Sequence, residues 1–169
     1  MSVVILACRQ PAAAAQCQPR PGFAVRSVCA DRDAGLIARL SDDLAGVDDA
    51  GGRAGPLPAG GGLLAEVTSR PGRTVEAWIA MRPESGAGPP RIAGLVSLVT
   101  CRQPTGPRHS IGWLLVHPAD RRQGVGRMLV ARACRRALET GAQTVWAESR
   151  GDWAEAITFW HAVGFFART

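Results

Sequence analysis

A short glycine-containing run separates an apolar stretch from a helical stretch in the second half of the chain. The run is Arg121-Arg122-Gln123-Gly124-Val125-Gly126, and it follows the apolar residues 111–116. A helix that begins at such glycines leaves several backbone N–H groups without partners, with the positive end of the helix dipole behind them. Because glycine has no Cβ, a phosphate can approach this backbone closely. The run therefore predicts a strand, a turn and a helix that together bind a diphosphate.

Two common nucleotide-binding patterns do not fit this run. A P-loop requires a lysine after its second glycine, and the chain contains no lysine. A dinucleotide-binding fingerprint requires a further glycine at position 129, which is Leu129 in this chain. Both of these nucleotide-binding sites are therefore excluded.

The run resembles the (Gln/Arg)-x-x-Gly-x-(Gly/Ala) signature of the GNAT family of acyl-CoA N-acyltransferases, and Arg121, Gly124 and Gly126 match it. A second segment, residues 156–165, is similar to the family's Ala-x-x-Phe/Leu-Tyr-x-x-x-Gly-Phe helix ending. The two motifs occur in the family's order. A weaker likeness extends over residues 23–165.

The predicted elements alternate between strands and helices in a mixed α/β order. We predict strands at residues 23–28, 75–81, 92–100, 110–116 and 144–148. We predict helices at residues 31–44, with Asp31 as N-cap, and at 63–68, 122–140 and 153–163, with a long loop at 46–62. The resemblance implies the GNAT fold, in which a mostly antiparallel central sheet is splayed between its fourth and fifth strands.

A chain of 169 residues has the length of one domain. We expect residues 1–22 to be an N-terminal tail, or an extra strand and a linker, and residues 23–169 to be a single domain. The family continues past its Gly-Phe pair into a closing hairpin, whereas this chain ends at Thr169. An edge of the sheet is therefore expected to be open, and either a homodimer partner or the apolar segment 2–7 would cover it.

The resemblance implies acetyl-CoA as the co-substrate and transfer of its acetyl group to an amine. The pantetheine arm would lie in the splayed gap and form hydrogen bonds with Leu115 and Val116. Trp153 and Trp160 would pack around the arm or fill the core. The residues that would hold the diphosphate are those of the glycine run and the next one along the helix: Arg121, Arg122, Gln123, Gly124, Val125, Gly126 and Arg127.

Glu148 is the candidate general base, because an amine acceptor must lose a proton before it attacks a thioester. Its spacing from Trp160 matches that between base and acid in the enzymes that acetylate the N-terminal alanine of a ribosomal protein, which the stretch 145–150 resembles most. The alternative is an ordinary glutamate at a strand end, paired with Arg150. His109 and His117 are the other candidates.

The family's tyrosine, which protonates the departing thiolate, is replaced here by Trp160, and the chain contains no tyrosine. An indole N–H donates a hydrogen bond but does not release a proton at accessible pH. Two functions stay open. The first is an active N-acyltransferase that acts by direct attack of a primary amine, with solvent protonating the thiolate. The second is a catalytically silent acyl-CoA-binding sensor domain of the same fold.

Charge and composition exclude several other functions. The net charge is +6, but no aromatic residues alternate with the arginines, so nucleic-acid binding is not expected. No apolar run approaches the ~18 residues of a membrane span, and no basic segment precedes residues 2–7, so we expect a cytoplasmic protein. Five cysteines without a Cys-x-x-Cys pair indicate no metal site.

Overall fold

A computed structural model describes residues 3–17, 20–45, 58, 62–82 and 90–167. The strands are β1 (Val3–Cys8), β2 (Ala24–Ser27), β3 (Thr74–Arg82), β4 (Arg91–Gln103), β5 (Gly106–Val116), β6 (Val145–Arg150) and β7 (Phe166–Ala167). The helices are α1 (Pro11–Ala14), α2 (Ala30–Leu44), α3 (Gly62–Thr68), α4 (Val125–Glu139) and α5 (Ala154–Ala162), with a 3-10 turn at Pro118–Asp120. The predicted mixed α/β architecture is confirmed.

The strands form one seven-stranded sheet in the order β2-β3-β4-β5-β6-β1-β7. Every neighbouring pair is antiparallel except β5 and β6, which run parallel. A parallel pair needs a crossover connection, and α4 provides it between these two strands.

The sheet is splayed between β5 and β6, as predicted. Within residues 106–116 and 145–150, only His109 with Val145 and Ser110 with Trp146 are paired across these strands. On its other side β5 stays paired with β4 as far as Val116. A gap between β5 and β6 therefore opens towards their carboxyl ends and leaves one edge of β5 without sheet hydrogen bonds.

Helices cover both faces of the sheet, because successive side chains of a strand point to opposite faces. One hydrophobic core lies under α1, α4 and α5 and includes the buried side chains of Leu129, Trp160 and Phe165. The other lies under α2 and α3 and includes Ile37 and Trp113. Helix α4 buries residues spaced by one helical turn against the first core, namely Val125, Leu129, Ala133 and Ala137.

Strand β1 lies between β6 and β7, with Leu6 facing the core at 0% exposure and Ile5 44% exposed on the other face. Strand β1 thus covers the edge of β6, which was one of the two alternatives for the expected open edge. The other alternative, a homodimer partner, stays a prediction. The residues expected as a linker contact α4, since the Arg135 guanidinium donates a hydrogen bond to the Ala15 carbonyl oxygen at 3.2 Å. The domain boundary at residue 22 also stays a prediction.

Two helix starts differ from the predictions. The N-cap of α2 is Cys29, so the Asp31 cap is wrong. The carboxylate of Asp33, inside the helix, accepts the Cys29 N–H at 2.8 Å and two hydrogen bonds from Arg26 at 2.7 and 2.8 Å. The Arg26 hydrogen bonds hold the pKa of buried Asp33 well below its usual range.

Helix α4 begins at Val125 and not at residue 122. Arg122 and Gly124 adopt left-handed backbone angles, with φ of 62° and 84°, which a right-handed helix cannot contain. Of the predicted loop at 46–62, only Pro58 and Gly62 are among the described residues.

Candidate functional site

The turn before α4 presents backbone N–H groups at its surface. Gly124 is the N-cap in a left-handed conformation, and the first helical hydrogen bond runs from the Met128 N–H to the Gly124 carbonyl oxygen at 3.0 Å. Within the described residues, the N–H groups of Val125, Gly126 and Arg127 donate to no backbone acceptor. The helix start therefore offers several donors and the positive end of a helix dipole to an anion.

A buried carboxylate fixes the 3-10 turn that precedes these donors. Asp120 is 0% exposed and lies 2.6 Å from the Arg91 Nη1 and 3.4 Å from the Arg82 Nε. Arg82 also donates a hydrogen bond to the Gln123 side chain at 3.1 Å. The cluster ties the turn to β3 and β4. This cluster was not predicted, and its signal in the sequence is the acidic residue directly before the arginines of the run.

Gly126 sits where α4 passes closest to α5 and to the end of β5. A Cβ at this position would lie 3.2 Å from the Phe159 ring and 3.5 Å from the Val116 Cγ2. The absence of a side chain therefore brings the helix start close to the open edge of β5. The donors of the turn and the gap in the sheet adjoin each other for this reason.

The arginines near the turn fall into two groups. Arg121 donates a long hydrogen bond to the Val116 carbonyl oxygen at 3.5 Å. In the part of the chain that the structure describes, neither it nor Arg122 or Arg127 forms an ion pair. Three arginines further along α4 have protein partners: Arg132 stacks on Trp78, Arg135 contacts Ala15, and Arg136 pairs with Glu76 and Glu139.

Leu115 and Val116 are the last residues of β5, at the open end of the gap. Leu115 directs a buried side chain into the core under α2 and α3, and Val116 is half-buried beside α4. Their strand is paired on the β4 side. The gap thus has on one wall a strand edge that could accept an extended arm by backbone hydrogen bonds.

Glu148 lies on β6, on the other wall of the gap, and its side chain is exposed. It shares a strand face with Trp146 and Arg150, opposite the face on which Val145 and Ala147 enter the core. Arg150 forms its ion pair with Asp152 at 2.6 Å. The Glu148 carboxylate has no ion pair with Arg150 or with another residue that the structure describes.

The two tryptophans of the candidate site have different surroundings. Trp160 is 1% exposed, and its ring packs 5.4 Å from the Phe159 ring and 5.0 Å from the Phe165 ring. It belongs to the core under α4 and α5. Trp153 is half-buried at the N-cap of α5, with the Arg150 guanidinium 4.6 Å from its ring centre. Contact of either ring with a cofactor stays a prediction.

The two histidines weighed against Glu148 lie at opposite ends of β5. His109 is buried at the paired end of the gap, where its Nδ1 lies 3.0 Å from the Thr100 hydroxyl, and burial lowers its pKa. His117 follows β5 at the open end. Its Nδ1 accepts the Ala119 N–H at 3.2 Å, and its Nε2 lies 3.5 Å from the Asp43 carboxylate.

No group of three or more metal-binding side chains occurs among the described residues. None of the helices in the described ranges is long and apolar enough to cross a membrane.

Comparisons with solved structures show the same fold at low identity. A functionally unknown conserved protein from Staphylococcus epidermidis has a TM-score of 0.67 at 13% identity, covering 98% of this chain and 57% of that protein. A tandem GNAT protein from the clavulanic acid biosynthesis pathway has a TM-score of 0.68 at 16% identity, covering 98% of this chain and 50% of that one. An acetyltransferase from Trypanosoma brucei has a TM-score of 0.61 at 22% identity, covering 87% of this chain and 94% of that one.

At these identities the likeness concerns the fold alone, and this chain spans about half the length of the first two proteins. No curated protein matches the chain in sequence. The sequence model of the acetyltransferase (GNAT) family matches residues 60–165, which include β3 to β6, the glycine turn, α4 and α5. The chain therefore belongs to the acetyltransferase (GNAT) family.

Proposed function

We propose that this protein is an N-acetyltransferase that moves the acetyl group of acetyl-CoA to a primary amine. The observation that carries the proposal is the left-handed turn at Gly124, whose free N–H groups adjoin the splayed gap between β5 and β6. Family membership supports acyl transfer in general. The identity of the cofactor and the choice of an amine as acceptor go beyond family membership and are proposed here.

The residues present suit both ends of this co-substrate. The N–H groups of residues 125–127, with the guanidinium groups of Arg121, Arg122 and Arg127, would bind the diphosphate by charge-assisted hydrogen bonds. The pantetheine arm would pair with the free edge of β5 at Leu115 and Val116, as an added strand does. The thioester would then lie in the gap, facing β6 and Glu148.

The proposed reaction is direct attack by the amine. The nitrogen forms a bond to the thioester carbonyl carbon, the carbon–sulfur bond breaks, and the products are an amide and the thiol of CoA. Holding both reactants in one geometry contributes on the order of 7 kcal/mol or more. Glu148 would take the proton that the amine loses, directly or through water.

In this proposal, solvent donates the proton to the departing thiolate. Trp160 stands in the position of the family's tyrosine, and an indole releases no proton at accessible pH. Its burial against Phe159 and Phe165 supports a packing role. The likeness of residues 145–150 to enzymes that acetylate an N-terminal alanine favours a protein N-terminus as acceptor, beside small amines.

Release of the CoA thiol in the presence of a panel of amines and N-terminal peptides tests the proposal. We expect turnover with at least one acceptor, and we expect Glu148→Gln to reduce it by about 10²-fold or more without weakening CoA binding. Glu155→Gln is the matched control, because Glu155 is an exposed glutamate in the first turn of α5. Tight CoA binding without turnover for any acceptor would contradict catalysis and favour a silent acyl-CoA sensor.

A further inference from the structure

The N-terminal segment, residues 9–17 and 20, packs against α4 although it lies outside the family-matched residues 60–165. Two long-range hydrogen bonds hold it there within its described part. The Arg20 N–H donates to the Met128 sulfur at 3.0 Å, and the Ala15 carbonyl oxygen accepts from Arg135. Ala15 therefore lies beside the second half of α4, and Arg20 lies beside its first turn.

The Arg20 side chain crosses the N-cap of α4. Its Nε lies 2.9 Å from the position that a Cβ on Gly124 would take, and its Cγ lies 3.4 Å from that position. Arg20 has no ion pair among the described residues, and the same holds for Arg121, Arg122 and Arg127. Four arginines without ion pairs, at or near the N-terminal end of α4, add to the positive end of the helix dipole and favour an anion there.

A cavity of about 800 Å³ lies between the N-terminal segment, Arg127 of α4 and the end of α5. The N-terminal segment forms one wall with Arg9, Gln10 and Gln16, and the end of α5 and β7 forms the other with His161 and Phe166. Arg127, whose own N–H belongs to the turn, lines the cavity as well. Arg127 is thus common to the cavity and the turn, and the cavity volume is in the range of small-molecule sites.

The walls of the cavity suit a phosphorylated nucleoside. Arg9 and Arg127 bring two cations that can bind a phosphate. The rings of His161 and Phe166 are stacked, with centres 5.5 Å apart, and the Phe166 ring is 60% exposed. An exposed aromatic face offers a base a surface for stacking.

We propose that the N-terminal segment is the second wall of the cofactor site. Arg20 binds the diphosphate opposite the amides of residues 125–127. The cavity holds the adenosine 3′-phosphate end of CoA, with the 3′-phosphate between Arg9 and Arg127. This inference rests on the proposed function, because it takes CoA as the ligand of the turn.

Calorimetric titration of the full chain with CoA and with 3′-dephospho-CoA tests the assignment. We expect Arg20→Ala to raise the Kd for both ligands about tenfold, the effect of losing one charge-assisted hydrogen bond at a partly solvated site. We expect Arg9→Ala to raise the Kd for CoA by a similar factor but to leave 3′-dephospho-CoA within twofold. Arg39→Ala is the control, since Arg39 is an exposed arginine of α2 on the other face of the sheet.

Each outcome decides a separate point. If the unaltered protein binds CoA and Arg20→Ala binds it equally well, the role of the N-terminal segment is overturned while the proposed function stands. If Arg9→Ala weakens both ligands equally or neither, the placement of the 3′-phosphate in the cavity is overturned. If the unaltered protein binds neither ligand, the proposed function fails together with this inference.

Discussion

Replacing Gly124 by alanine separates the backbone role of this glycine from its role in ligand binding, because Gly141 provides a matched control. Gly124 and Gly141 lie at the two ends of α4 with φ of 84° and 86°. A Cβ in the left-handed region costs roughly 1–2 kcal/mol. At Gly141 the new methyl group would meet no atom within 4 Å, and at Gly124 it would meet the flexible Arg20 side chain.

Both alanine variants should therefore lose a similar stability. We expect a free energy of unfolding about 1–2 kcal/mol lower for each, and each kcal/mol corresponds to a Tm decrease of about 2–4 °C in a chain of this size. Thermal unfolding of the two variants and the unaltered protein, without ligand, measures this effect.

The ligand response should distinguish the two variants. Only Gly124→Ala places a methyl group beside the amides of residues 125–127, and we expect CoA affinity to fall about tenfold. At a CoA concentration of about 100 Kd, the unaltered protein and Gly141→Ala should gain about 2.7 kcal/mol. Gly124→Ala should gain only about 1.4 kcal/mol at the same concentration. Equal gains in both variants would refute the binding role of the turn, and an unchanged Tm in both would refute the strain argument.

Two further predictions concern stability. Asp33→Asn should cost about 2–3 kcal/mol at pH 7, because it leaves the Arg26 guanidinium without its buried carboxylate. Since the fold lowers the Asp33 pKa, this stability is present above the unfolded pKa of about 4 and is lost as the pH falls below it, so urea unfolding should show a smaller difference at pH 3. A difference that is equal at both pH values would contradict this linkage. Leu6→Ala should cost about 2–5 kcal/mol, whereas Ile5→Ala on the exposed face of β1 should cost less than about 1 kcal/mol. Equal losses for these two variants would contradict the pairing of β1 with β6.

Local patterns in the sequence predicted the elements that carry the candidate site. The apolar run of β5, the glycines at 124 and 126 and the helical spacing of α4 are contiguous, and each is determined mainly by neighbouring residues. The splayed pairing of β5 and β6 followed from the family resemblance of these same segments. Strand and helix identity could therefore be predicted, with small shifts of the boundaries.

Contacts between distant parts of the chain could not be predicted in the same way. The segment 2–7 was one of two predicted covers for an open sheet edge, and only the structure pairs β1 with β6. The contacts of Asp120 with arginines of β3 and β4 were not predicted, because tertiary packing leaves no local sequence pattern. The prediction of Asp31 as the N-cap of α2 was wrong for a related reason. Asp31 and Asp33 are both acidic residues near the helix start. Only the folded position of Arg26 on β2 determines that Asp33 forms the hydrogen bonds with it.

The central claim is that the amides after Arg121 bind the diphosphate of CoA, and backbone amide chemical shifts test it most directly. We predict that titration with CoA moves the amide resonances of residues 122–127 more than those elsewhere in α4, and that pantetheine, which lacks the diphosphate, leaves them unchanged. Saturable CoA binding with unmoved amides at residues 122–127 would contradict the account.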